Sequence, residues 1–143
     1  MFVRPLLWGL LVFVGLLELL VSDWGSEISS EIARQHAAGI GRLDLTKLAG
    51  PNWTRVCFLG PYAVDVHAQR TLGFSWDVNA RTSFLGAENI NVVIFATGSE
   101  VVDYTEHPRT QGELLKLSGK CFPRSDAVFI RNEDGYYVHH TTS

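Results

Sequence analysis

The sequence predicts an α+β domain that follows an N-terminal membrane segment. Three features indicate this: an apolar run at the start of the chain, a strand-then-helix pattern after it, and two later pairs of β-rich runs joined by short turns. Helices and antiparallel strands that occupy separate stretches of a chain are typical of the α+β class. We expect a mainly antiparallel sheet of four or five strands, with one helix covering a face.

The apolar run spans residues 5–21 and contains one ionisable residue, Glu18. As a helix rising about 1.5 Å per residue it is roughly 25 Å long, close to the ~30 Å hydrocarbon core of a bilayer. The residues after the run lack the small-residue pattern of a signal-peptidase site. Residues 1–22 are therefore expected to form an uncleaved signal anchor, and a protein secreted after cleavage is the alternative.

The charges beside the run predict its orientation. Arg4 precedes the run, and acidic residues follow it before the next cation, namely Asp23, Glu27 and Glu31. Because positive charge is retained on the cytoplasmic side, we expect the N-terminus in the cytoplasm. Residues 22–143 are then extracytoplasmic, in the periplasm if the cell is Gram-negative, and the membrane is an expected partner.

Residues 23–50 are predicted to form a helical spacer and connector. Ser26 is suited to cap a helix over residues 26–38, and the apolar face of that helix is thin. The domain boundary is placed near Leu43, and the exported domain proper is expected to span residues 51–143. One domain is expected because about 120 residues beyond the anchor suffice for a single core.

The exported part begins with a predicted strand and a predicted helix. Residues 54–59 are apolar on both alternating sides, which is typical of a strand inside a sheet or under a helix. A glycine and a proline then end the strand. Residues 63–72 are predicted to form the helix that covers the sheet.

Two antiparallel hairpins are predicted further along the chain. Residues 90–96 and 100–107 are β-rich runs joined by a glycine turn, and residues 126–131 and 136–140 repeat that pattern. Between the hairpins, residues 111–117 are predicted to form a brief helix.

Two cysteines, Cys57 and Cys121, lie far apart in the chain. Export would place both in an oxidising compartment, so a disulfide is predicted between the first strand and the segment before the last hairpin. In the chain-entropy account such a bond stabilises the fold by about 3–4 kcal/mol. The alternatives are two separate buried thiols, or half of a metal or lipid site.

Composition and motifs argue against several functions. A net charge of −3 does not suit a nucleic-acid partner, which would need a basic face. The five histidines lack the spacing of metal-binding motifs, and no nucleophile elbow or dinucleotide fingerprint occurs. No metal, cofactor or catalytic residue is therefore predicted, and a non-catalytic role is favoured over an enzyme.

Five residues are candidates for binding a ligand or partner. Arg109 and Arg124 each follow a proline, which presents a guanidinium rigidly to a carboxylate or phosphate. Ion pairing within the domain is the alternative for both arginines. A candidate face combines Tyr62, His67 and His107 with Arg109.

These observations favour a membrane-anchored extracytoplasmic accessory or assembly protein that binds another protein of the cell envelope. The alternative is an exported small-ligand-binding domain or a small hydrolase. A closed apolar cleft with convergent polar groups would favour a ligand, whereas a flat apolar patch with an open strand edge would favour a protein partner.

Overall fold

The computed structural model describes residues 26–82 and 88–140 of the chain. Its helices and strands, in chain order, are α1 (Ser26–Ala37), β1 (Arg42–Asp44), β2 (Arg55–Leu59), α2 (Asp65–Leu72), α3 (Val78–Arg81), β3 (Ile90–Ala96), β4 (Val101–Pro108), β5 (Cys121–Pro123), β6 (Val128–Arg131) and β7 (Tyr137–His139). The predicted anchor, residues 1–22, lies outside the described residues. Within residues 26–82 and 88–140, no helix is long and apolar enough to cross a bilayer.

The larger sheet is antiparallel throughout, with the strand order β4-β3-β2-β5. Every residue of β2 from Val56 to Leu59 is buried. Because side chains alternate along a strand, both faces of the sheet need an apolar cover. Cys57 and Leu59 lie in a cluster with residues of α2, whereas Val56 and Phe58 lie in a second cluster with residues of α1. The predicted covering helix over residues 63–72 is therefore present as α2.

A second, smaller antiparallel sheet has the strand order β1-β6-β7. The α+β class and the antiparallel pairing are confirmed, but the single sheet expected from the sequence is divided in two. The last hairpin pairs with β1, where Leu43 lies opposite Phe129 and both are fully buried. Phe129 packs edge-on against Phe58 at 5.3 Å, which places the smaller sheet on one face of the larger. β1 and β6 lie far apart in the chain, and their pairing depends on how apolar faces meet in the folded protein. A local sequence pattern does not specify that.

Helix α1 is packed into the fold, whereas the sequence suggested a spacer. Ile28 and Ile32 are one turn apart, so they share a side of the helix, and both are buried in the cluster beside the larger sheet. The side-chain amide of Gln35 accepts a hydrogen bond from the Asp44 N–H at 2.7 Å and donates one to the Asp44 carbonyl at 3.0 Å. Gln35 thus pairs with β1 as a neighbouring strand would, so α1 and β1 belong to the same folded unit as the later strands.

The predicted disulfide is present. Cys57 of β2 and Cys121 of β5 lie directly opposite each other, with their Cα atoms 4.0 Å apart, and the bond closes a loop of 64 residues. It attaches the three-residue strand β5 to the centre of the larger sheet. The first strand is therefore linked to the segment before the last hairpin, as the sequence indicated.

Both predicted hairpins are confirmed, as the pairs β3–β4 and β6–β7. In the second turn the Asn132 carboxamide accepts hydrogen bonds from two backbone N–H groups, and Gly135 takes the left-handed conformation with φ of 87°. The brief helix predicted over residues 111–117 is instead two 3₁₀ turns, Arg109–Gln111 and Leu115–Leu117.

We expect the Gln35→Ala substitution to lower the free energy of unfolding by about 1–3 kcal/mol, because two backbone groups of Asp44 lose their partner. The measurement is urea unfolding of the full chain in detergent micelles. The matched control is Gln69→Ala on α2, where the side chain is exposed and makes no hydrogen bond within the described part of the chain. That change should stay within about 0.5 kcal/mol, and equal losses would refute the pairing role of Gln35.

Candidate functional site

A cleft of about 470 Å³ opens between the loop after β2, helix α2 and the turn before β5. Leu59 and Ala63 form apolar parts of its wall, and the polar residues include His67, Arg70 and Ser118. Tyr62 and His67, two of the residues predicted to form a binding face, line this cleft together.

The polar side chains of the cleft present hydrogen-bond donors. The His67 Nδ1 accepts the Val64 N–H at 2.9 Å, so the neutral ring carries its proton on Nε2. The Ser118 Oγ accepts the Gly60 N–H at 2.7 Å and keeps its own O–H for donation. Arg70 is exposed, and among residues 26–82 and 88–140 no hydrogen-bond or ion-pair partner is found for its guanidinium. The cleft is therefore suited to bind a group that accepts hydrogen bonds.

Tyr62 forms part of the rim of the cleft and is 55% exposed. Its φ of 66° lies in the left-handed region, which is uncommon for a residue other than glycine. A hydrogen bond to the Glu88 carboxylate raises the pKa of Tyr62, and the nearby Arg109 opposes that effect. Val66 on α2, one position before His67, is 53% exposed. Tyr62 thus places an exposed aromatic ring at the rim, and Val66 adds an exposed apolar side chain on the same helix as His67.

Arg109 and Arg124 are both engaged within the domain. The Arg109 Nε donates to the Glu113 carboxylate at 2.8 Å, and its Nη1 donates to the Glu88 carbonyl at 3.0 Å. Arg124 donates to the Thr46 carbonyl at 3.0 Å, and its guanidinium lies 4.4 Å from the centre of the Trp53 ring. These contacts correspond to the intradomain alternative, and a partner-binding role for either arginine stays a prediction.

His107 lies apart from His67, on the face of the larger sheet that packs against α1. Its Nε2 lies 2.9 Å from the Gln111 carbonyl, which can only accept, so Nδ1 accepts the Ser29 hydroxyl at 2.8 Å. Burial lowers the pKa of His107; the bond to Gln111 opposes this, and His36 lowers the pKa further. The predicted face of Tyr62, His67, His107 and Arg109 is therefore divided between the two sides of the sheet.

The Ser29–His107 pair was not predicted from the sequence. A serine hydroxyl, a histidine and an orienting carbonyl are the parts of an activated nucleophile. However, His107 has no exposed surface, and Ser29 lines neither the cleft beside α2 nor a second cleft beside β4. The pair therefore attaches α1 to β4. The sequence feature that could have indicated this pair is His107 itself, a polar residue at an inward-facing position of a strand.

The side chain of Asn91, opposite His107 in the sheet, is also buried, and neither of its polar atoms has a hydrogen-bond partner among the residues that the structure describes. Nothing in the structure explains this residue. In the described ranges, no group of three or more His, Cys, Asp or Glu side chains is arranged to hold a metal ion.

Comparisons with known proteins add no functional assignment. No protein-family model matches the sequence, and neither a curated protein nor a solved structure is significantly similar to this chain. The chemistry of the cleft and the predicted location are therefore the available guides to function.

We expect the free energy of unfolding to fall as the pH drops below about 6.5, in part because of His107. Since its pKa is lower in the folded chain than in the unfolded chain, the unfolded chain takes up the proton first. The stabilisation is complete above the unfolded value and is lost as the pH falls towards the folded value.

The test compares urea unfolding of the parent and of His107→Gln from about pH 7.5 to 5. His107→Gln should be less stable at the upper end and should show a shallower decline with acidification. His140→Gln is the matched control because the His140 side chain is exposed. Equal slopes for the parent and His107→Gln would contradict the assignment.

Proposed function

We propose that this protein is a membrane-anchored extracytoplasmic protein that binds another protein of the cell envelope, as an accessory or assembly subunit. The observation that carries the proposal is the exposed Tyr62 ring at the rim of the cleft. Three large apolar side chains of the described residues are exposed, namely Ile40, Tyr62 and Val66. Tyr62 lines the cleft, and Val66 lies on α2, the helix that forms one wall of it. Exposed aromatic anchors beside polar groups are typical of surfaces that contact other proteins.

The disulfide and the apolar run support the proposed location. Disulfides persist in oxidising compartments outside the cytoplasm, and Cys57–Cys121 is formed in this fold. The apolar residues 5–21 are close to the length of a membrane span. With residues 1–22 as the anchor, α1 begins only a few positions later and is packed into the domain. The domain is then held close to the membrane surface rather than on a long spacer.

A small-ligand-binding domain is the second candidate, and the size of the cleft favours it. About 470 Å³ lies within the range of small-molecule sites, roughly 300–1,000 Å³. His67, Arg70 and Ser118 supply the convergent polar groups of such a site. The protein-binding role is preferred because the cleft is open and the Tyr62 ring stands exposed at its rim.

We expect the native protein, extracted from membranes with detergent, to have the mass of the complete chain. Treatment with a thiol-alkylating reagent should add no mass without reductant and two groups after reduction, because both cysteines are in the disulfide. Intact-mass spectrometry measures both properties. Loss of residues 1–22 would indicate a secreted protein instead, and two thiols that react without reductant would contradict export.

We expect Tyr62→Gly to abolish partner binding with little loss of stability. Glycine relieves the left-handed conformation, which costs other residues about 1–2 kcal/mol, and this offsets its greater freedom in the unfolded chain, about 0.5–1 kcal/mol. The measurement is photo-crosslinking in cells from a photoreactive residue at position 66.

The crosslinked product should fall at least about tenfold in the Tyr62→Gly background, as for the loss of an interface anchor. Ile40→Gly is the matched control, because it removes an exposed apolar side chain elsewhere in the fold. A crosslink that both backgrounds retain, or no crosslink in the parent, would refute the proposed contact.

A further inference from the structure

The cleft has a positive electrostatic character. Its charged or polar side chains include the Arg70 guanidinium, the His67 ring with a donor at Nε2, and the Ser118 hydroxyl. No carboxylate is among its lining residues. A group that enters the cleft therefore meets donors and a full positive charge.

Neither of the ion pairs found among residues 26–82 and 88–140 involves Arg70, so no carboxylate there pairs directly with its guanidinium. The carboxylates of Glu88, Glu113 and Asp65 make other contacts. Glu88 accepts the Tyr62 hydroxyl, and Glu113 is paired with Arg109 at 2.8 Å. The Asp65 carboxylate accepts the Asn79 N–H at 3.1 Å, on the side of α2 that faces α3. The charge of Arg70 is thus available to a partner.

Apolar groups accompany the donors. Leu59 and Ala63 line the cleft, and the Tyr62 ring stands exposed at its rim. A free inorganic anion would leave these groups in water. A peptide that carries a carboxylate next to an apolar side chain would cover both parts of the surface.

On the basis of the proposed protein-binding role, we infer that the cleft recognises an acidic peptide segment of its partner. The carboxylate of a Glu or Asp side chain accepts hydrogen bonds from Arg70 and His67, and an adjacent apolar side chain packs against Tyr62. A guanidinium matches a carboxylate with two parallel hydrogen bonds, so Arg70 is the residue that determines specificity.

The test uses the full chain in detergent micelles and two fluorescent, terminally capped peptides that differ only in a central Leu-Glu-Leu or Leu-Gln-Leu. Fluorescence anisotropy measures their affinities. We expect the Glu peptide to bind about tenfold or more tightly, as for a charge-assisted hydrogen bond. Arg70→Gln should remove that preference. Arg81→Gln, a substitution in a separate cleft beside β4, should retain it.

Equal affinities of the two peptides, or no binding of either at millimolar concentration, would overturn the inference. Inorganic phosphate that competes as tightly as the Glu peptide would overturn it in favour of a free anion. The crosslink from position 66 separates the two proposals. A crosslink together with unselective peptides refutes only the acidic partner, whereas absence of the crosslink refutes the binding role itself.

Discussion

From Val56 to Leu59 the inner strand β2 of the larger sheet carries no polar side chain, so water has to be excluded from both faces. Burial of a side chain such as Phe58 on one face or Leu59 on the other contributes about 1.5–3 kcal/mol. Removal of the cover on one face would lose the contribution of the side chains buried there. Helix α2 covers one face, while α1 and the smaller sheet cover the other. The positions of both helices, and hence of the cleft beside α2, follow from this one requirement.

Directional hydrogen bonds complete the packing of α1, whose apolar face is narrow. The Ser29 hydroxyl, the Gln35 amide and the His36 ring each bond to a different strand or its backbone, His36 through the Tyr137 hydroxyl at 2.8 Å. Such bonds add modest free energy but specify orientation, because a buried polar group left unpaired costs about 1–3 kcal/mol. Polar contacts thereby hold α1 against the sheets near both of its ends, and the buried Ile28 and Ile32 lie on the same helix.

The sequence predicted the features that depend on a local residue pattern, and it predicted the disulfide because only one pairing of the cysteines is possible. The hairpins follow from β-rich runs and glycine turns, and two cysteines can form only one intramolecular bond. The packing of α1 was missed because its apolar face is narrow, with Ile28 and Ile32 as its main members. The hydrogen bonds of Gln35 could not be predicted either, because β1 comes close to Gln35 only in the folded chain. The division into two sheets was missed for the same reason, since β1 is three residues long and its partners are far away in the chain.

For the cleft, the sequence indicated Tyr62 and His67, but not the wall that faces them. Ser118 reaches the cleft because β5 is paired with β2, where the Gly119 N–H donates to the Phe58 carbonyl at 2.7 Å. The approach is close enough that a Cβ on Gly60 would lie 2.6 Å from the Ser118 Oγ, so any larger residue would displace the Ser118 side chain. The disulfide beside this contact holds the wall in place, and the cleft is formed before any partner arrives. A preformed site loses less conformational freedom on binding, which suits recognition of a short segment by few contacts.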